Sequence, residues 1–173
     1  MQTVSSQSDE TPPTLGASSN RPHRYEWQID ADGAEVERLL EHIDTAGHEA
    51  GIPVESMYRL LLVVEEVVTN AIKYGYADAR SGRIAVSLST SSGVAHVEVA
   101  DDGDPFDPTQ APPPVIGASV EEQPIGGLGL HLIKELSDTV RYRRSDNCNT
   151  LTIEKRYGPA PSDQHERPTN PST

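Results

Sequence analysis

Residues 83–89 and 94–100 each alternate apolar with polar side chains, around Ser91-Ser92-Gly93. A connection that short joins only antiparallel neighbours, so the spacing predicts a hairpin. Val140–Arg144 and Thr150–Arg156 repeat the arrangement around Asp146-Asn147. Three helices are expected beside these strands. The first covers 33–49, with Val36, Leu39, Leu40 and Ile43 at helical spacing and Asp30 or Asp32 as its cap. The second runs from 54 to 74, with Pro53 suited to its start and Gly75 to its end. Its stripe of Met57, Leu61, Val64, Val68 and Ile72 is widened by Leu60, Val63, Val67 and Ala71, an arc broad enough to bury against a sheet. The third covers about 128–137, and a strand carrying Tyr25, Trp27 and Ile29 on one face precedes them all. The order strand, helix, helix, hairpin, long loop, helix, hairpin predicts an α+β two-layer sandwich. Its sheet is expected to be mixed but mainly antiparallel, packed on three helices, rather than doubly wound.

The ends differ from this middle. Residues 1–23 and 158–173 are polar and rich in Ser, Thr and Pro, and cannot bury enough apolar surface to offset their ordering entropy. They are expected to be disordered tails around one folded domain at 24–157. Inside it, 102–126 is Pro-rich and long enough to be a lid over a site. The net charge of −13 argues against a nucleic-acid backbone or an anionic membrane as direct partner. Cys148 is the single cysteine, which excludes an internal disulfide. No apolar run reaches membrane-spanning length, and no basic-then-apolar leader opens the chain, so the cytoplasm is the expected location.

Three short motifs carry the chemistry. The first is Glu66-Val67-Val68-Thr69-Asn70-Ala71-Ile72-Lys73-Tyr74, within the second helix pattern. Glu66, Asn70 and Lys73 fall at i, i+4 and i+7 and so share one face. That face offers a carboxylate base, a neutral amide oxygen for Mg2+ and a cation for a phosphate. The same side chains also suit a plain solvated face. Glu65 points about 100° away and reads as a surface carboxylate. The second motif is Asp101-Asp102-Gly103-Asp104-Pro105-Phe106-Asp107-Pro108, directly after a strand. Asp101 could accept a hydrogen bond from the exocyclic amine of adenine, and Gly103 would let backbone approach the base; an ordinary Asp-Gly turn is the simpler alternative. Phe106 reads as a lid or core anchor. The third is Gly126-Gly127-Leu128-Gly129-Leu130-His131 at a helix start, where backbone N–H groups and the helix dipole favour anions. No G-x-x-x-x-G-K-S/T sequence is present, and the glycines follow a Pro-rich loop rather than a strand, so neither a P-loop nor a dinucleotide fingerprint fits. No zinc-protease histidine spacing occurs either, and His131 reads as an ordinary helix residue.

In this order the motifs resemble the N, G1 and G2 boxes of the GHKL superfamily, which has the Bergerat ATP-binding fold. Within it they are most similar to the serine-kinase anti-sigma factors of the RsbW and SpoIIAB type, and Asn149-Thr150-Leu151-Thr152-Ile153 resembles that family's last strand. The resemblance covers about residues 24–157. It implies an ATP- and Mg2+-dependent protein serine/threonine kinase that phosphorylates a STAS-domain anti-anti-sigma protein and sequesters a sigma factor or other regulator, as a possible homodimer. It assigns Glu66 as catalytic base, Asn70 as magnesium ligand and Asp101 as the adenine-binding residue with Gly103 beside it. Gly126, Gly127, Leu128, Gly129 and Leu130 form the phosphate loop, Thr150 lies near the adenine, and Lys73 meets phosphate. The lid departs from the family by holding no Arg or Lys and by carrying Glu121 and Glu122. Charge stabilisation would then fall on magnesium, Lys73 and backbone N–H groups. An ATP-binding anti-sigma module with little turnover is the alternative.

Overall fold

The computed structural model describes residues 23–76, 81–110 and 127–158. The expected N-terminal tail, most of the lid with Gly126, and the C-terminal tail beyond Gly158 lie outside the described residues.

Five strands form one sheet: β1 (His23–Asp30), β2 (Arg83–Ser91), β3 (Val94–Asp101), β4 (Thr139–Ser145) and β5 (Cys148–Arg156). Their spatial order is β1-β2-β3-β5-β4, and every neighbouring pair is antiparallel. Three helices cover one face: α1 (Ala34–Glu49), α2 (Val54–Asn70) and α3 (Gly127–Leu136), with α2 packed against both others. The expected α+β sandwich is therefore present.

Local chemistry explains the joints. Ser92 and Gly93 both have positive φ, as do Asp146 and Asn147, which is the mirror-image turn that matches strand twist in a two-residue hairpin loop. Asp32 caps α1 by accepting from the Ala34 N–H at 3.0 Å. Pro53 stands just before α2 in an extended conformation rather than inside its first turn. Gly47 lies against Met57, where any Cβ would strike the thioether, so α1 and α2 cross closely there. The Gly158 N–H donates to the Gly93 carbonyl at 2.9 Å, so ordered chain runs at least to Gly158.

The core lies between sheet and helices. Ile84, Leu88, Val97 and Ile153 meet Leu60, Val64 and Val68 of α2, all buried. Alternation along each strand sends these residues inward and the charged ones outward. The topology matters more than the count of strands. β3 and β4 run in the same direction, joined through α3, and β5 returns from the final hairpin into the gap between them. That return sets Asn149 directly opposite Asp101.

One expectation needs correcting. The second helix does not run unbroken to Tyr74. It is α-helical to Asn70 and then forms a π-helical turn over Ala71–Gly75. A π turn holds more residues than an α turn, so side chains beyond Asn70 leave the α-helical phase.

Candidate nucleotide site

A pocket opens where the C-terminal ends of α2 and β3 meet α3 and β5. Its walls are apolar, from Val67, Val99, Ile133, Leu151 and Phe106. Asn70, Asp101 and Asn149 bring polar groups into it. Apolar walls with few converging polar groups are the usual build of a small-molecule site.

Asp101 is the last residue of β3 and points inward, whereas Asp102 points away. The Asp101 carboxylate accepts through Oδ1, from the Gly103 N–H at 2.9 Å and from Asn149 Nδ2 at 2.8 Å. Oδ2 accepts none among the described residues. Asp102 instead takes the Tyr76 hydroxyl at 2.6 Å. Burial, and then that bond to Asp102, raises the Tyr76 pKa above its ordinary value. The second acid of the motif is thus a structural strut.

Gly103 does allow close approach, but to protein. A Cβ there would lie 2.8 Å from the Gly75 Cα and carbonyl oxygen. The Asp104 N–H donates to that same Gly75 carbonyl at 2.8 Å. The acidic turn is thereby stitched to the end of the π turn. Tyr74, in that turn, stacks on Phe106 with ring centroids 4.8 Å apart, which makes Phe106 an anchor of the pocket wall.

Glu66 and Asn70 come together as α-helical spacing predicts. Asn70 is 7% exposed, and its Nδ2 has no hydrogen-bond partner among the described residues. A buried amide without a partner is costly unless something completes it. Glu66 is half-buried, and burial first, then the charge of Glu65, raises its pKa. Its carboxylate lies against the backbone of Gly129, where any Cβ would collide with it. The start of α3 is thereby brought to Glu66, which the spacing of Glu66 and Gly129 in the chain could not show. Glu65 is exposed on the other side of α2, in a groove shared with α1.

Other expected residues fall elsewhere. Lys73 is exposed, with Nζ 5.2 Å from the centre of the Tyr74 ring, and does not line the pocket. Leu130 is a core residue, 2% exposed, so only its backbone could serve a ligand. Gly127 begins α3, and the Leu128 side chain lies outside what is described. Thr150 is buried but stands on the opposite strand face from Asn149 and Leu151, since alternation reverses at each residue, and it does not line the pocket. Asn149 occupies the place where Thr150 was expected. Tyr142 and Arg144, both bonded to Asn149, were also missed. Their inward alternation on β4 was the available signal.

The residues present fit a magnesium nucleotide. No group of three His, Cys, Asp or Glu side chains able to hold a metal occurs among the described residues. Mg2+ commonly takes one or two protein groups and fills its shell with phosphate oxygens and water, and a lone amide suits that arrangement. Free Oδ2 of Asp101 and the Asn70 amide mark the two ends.

Residues 29–155 match the family model of the histidine kinase-like ATPase domain. The serine-protein kinase RsbW of Bacillus velezensis is 33% identical over 134 residues, which cover 75% of this chain and 83% of that protein. The serine/threonine-protein kinase BtrW of Bordetella bronchiseptica is 28% identical over 102 residues, 59% of this chain and 72% of that one. For RsbW of Listeria innocua the match is 33% over 96 residues, 61% of that protein's length. A crystal structure of the RsbU and RsbW domains of a Mycobacterium tuberculosis protein shares the fold, with a TM-score of 0.57 at 20% identity, covering 78% of this chain and 32% of that one. The chain belongs to the histidine kinase-like ATPase domain family and is homologous, within it, to the RsbW-type serine-protein kinases.

Proposed function

We propose that this protein is an ATP- and Mg2+-dependent protein serine/threonine kinase that phosphorylates a STAS-domain anti-anti-sigma partner and, in the alternative state of that switch, holds a sigma factor or another regulator. The observation that carries the reading is the Glu66 carboxylate lying against Gly129, one helical turn from buried Asn70, whose Nδ2 has no partner among the described residues. The names of the curated relatives support the choice of a serine kinase.

Asp101 holds the base end of ATP through Oδ2. Asn70 would hold Mg2+ through its amide oxygen, and the ion would offset charge on the triphosphate. The backbone at the head of α3 faces the phosphates, where N–H groups favour anions. Glu66 takes the proton of the acceptor Ser or Thr hydroxyl as that oxygen bonds to the γ-phosphorus, while the bond from the γ-phosphorus to the ADP oxygen breaks. The raised Glu66 pKa makes it a stronger base than an exposed glutamate.

One observation favours slow turnover. Among the described residues lining the pocket there is no Lys or Arg, and Lys73 leans over the Tyr74 ring outside it. An ATP-gated binding module is therefore the second reading. Labelled ATP and Mg2+ with STAS proteins from the same genome separate the two. Label on a STAS serine or threonine, absent with Asn70→Ala, is the expected result. ATP binding without transfer would replace the kinase by the binding module.

A further inference from the structure

Asn149 is 4% exposed, and every polar atom of its side chain is committed. Its Oδ1 accepts from Arg144 Nη1 at 2.6 Å and from the Tyr142 hydroxyl at 2.7 Å. Its Nδ2 donates to Asp101 Oδ1 at 2.8 Å and to the Asp104 carbonyl at 3.0 Å. Arginine can only donate, and a carboxylate or carbonyl can only accept. The amide therefore has one permitted orientation, fixed independently from both ends. Arg144 also donates to the Gly103 carbonyl at 3.0 Å, so one cation braces both the amide and the acidic turn.

We propose that Asn149, oriented by Arg144 and Tyr142, is a positioning residue that ties down one oxygen of Asp101 and so leaves the other as a fixed acceptor selecting a purine with an exocyclic amine. The proposal rests on the nucleotide-binding reading above and adds the source of its base selectivity. The sense of each hydrogen bond passes from Arg144 to Asn149 to Asp101 Oδ1, and leaves Oδ2 of this pocket-lining residue without a partner among the described residues. An amine at the purine 6-position completes that pattern. A carbonyl at the same position would set acceptor against acceptor. Sites built to bond a given polar group reject analogues lacking it because the buried partner is left unpaired. Without Asn149 the Asp101 carboxylate could rotate, and the pocket would lose its aim rather than its walls.

The test is calorimetric titration of the full chain with ADP and with inosine diphosphate, each with Mg2+. The wild type should bind ADP at least about tenfold more tightly, as expected for a buried hydrogen-bond partner. Asn149→Asp sets an acceptor against Asp101 Oδ1. It should weaken ADP about tenfold or more while changing inosine diphosphate less than about threefold, so the ratio collapses. Arg144→Met keeps Asn149 but removes the brace on both its amide and the Gly103 carbonyl, and should lower the ratio by a smaller factor, about twofold to fivefold. It also stands as the test if Asn149→Asp does not fold. An unchanged ratio in the folded variants, or an equal loss for both nucleotides, overturns the positioning role and leaves the nucleotide site standing. Failure of the wild type to bind either nucleotide overturns the site itself.

Discussion

The two ends of the pocket are built on opposite plans. At the base end the protein satisfies itself: Asp101, Asn149, Tyr142, Arg144 and the turn from Gly103 to Asp104 are bonded to one another. At the proposed phosphate end it does not: Asn70 Nδ2 has no partner among the described residues, and one turn earlier on the same helix Glu66 keeps a carboxylate held above its ordinary pKa. A satisfied network rigidifies and specifies, whereas an unsatisfied one marks where a ligand completes the structure. Selectivity for the base is thus expected to be preorganised, and phosphate binding, by accepting from Asn70 Nδ2, to relieve a standing cost.

The comparison breaks first at Glu66. Glu66→Gln should cut phosphoryl transfer by about 100-fold or more, the ordinary worth of a general base, while ATP affinity stays within about twofold. Transfer that survives in single-turnover assays would remove Glu66 from the chemistry. The next contrast is in stability. Asn149→Ala strips partners from Asp101 and should cost about 2 kcal/mol in denaturant unfolding, as for bonds to charged groups. Asn70→Ala removes an amide that had no partner for its Nδ2, and should change stability by less than about 1 kcal/mol. Mg2+-dependent nucleotide binding should nevertheless disappear with it. Equal losses for the two alanine variants would mean the ends are not differently built.

The smallest effect is in pH. Burial, then Glu65, holds Glu66 above its ordinary value of 4.5. The folded state therefore binds this proton more tightly than the unfolded chain does. Stability from this group is present below the ordinary value and declines as pH rises through the raised one. Glu66→Gln cannot ionise, so its melting temperature should exceed that of the wild type at neutral pH, and the gap should close below the ordinary value. Wild-type transfer should rise with pH across the same window as the base loses its proton. A gap that is the same at all pH values would show that Glu66 is not strained by burial.

Much of this was legible in the chain. The two hairpins followed from alternation around short turns, and α1, α2 and α3 from apolar spacing, because both periods are local properties of the backbone. Glu66 and Asn70 share a face for the same reason: four residues make about one helical turn. The π turn after Asn70 was not legible. It takes Lys73 out of the α-helical phase of Glu66 and Asn70, and it is coupled to the acidic turn, whose Asp104 N–H bonds the Gly75 carbonyl and whose Gly103 packs on Gly75, contacts that form only when β3 meets the end of α2. Thr150 stands off the pocket lining for a related reason. One residue of register separates the pocket face from the outer face, and only the pairing of Asp101 with Asn149 decides it.

The sequence by itself determined the elements, the antiparallel hairpins, the family and the residue types able to handle a magnesium nucleotide, since each depends on spacing within one segment. Tertiary structure alone decided which of those residues meet. β5 enters between β3 and β4 and brings Asn149 to Asp101 across 48 positions of chain. Packing of α3 on α2 likewise lays Gly129 against Glu66. Both juxtapositions are set by how the layers close on the core, which depends on long-range burial and strand pairing rather than on local periodicity.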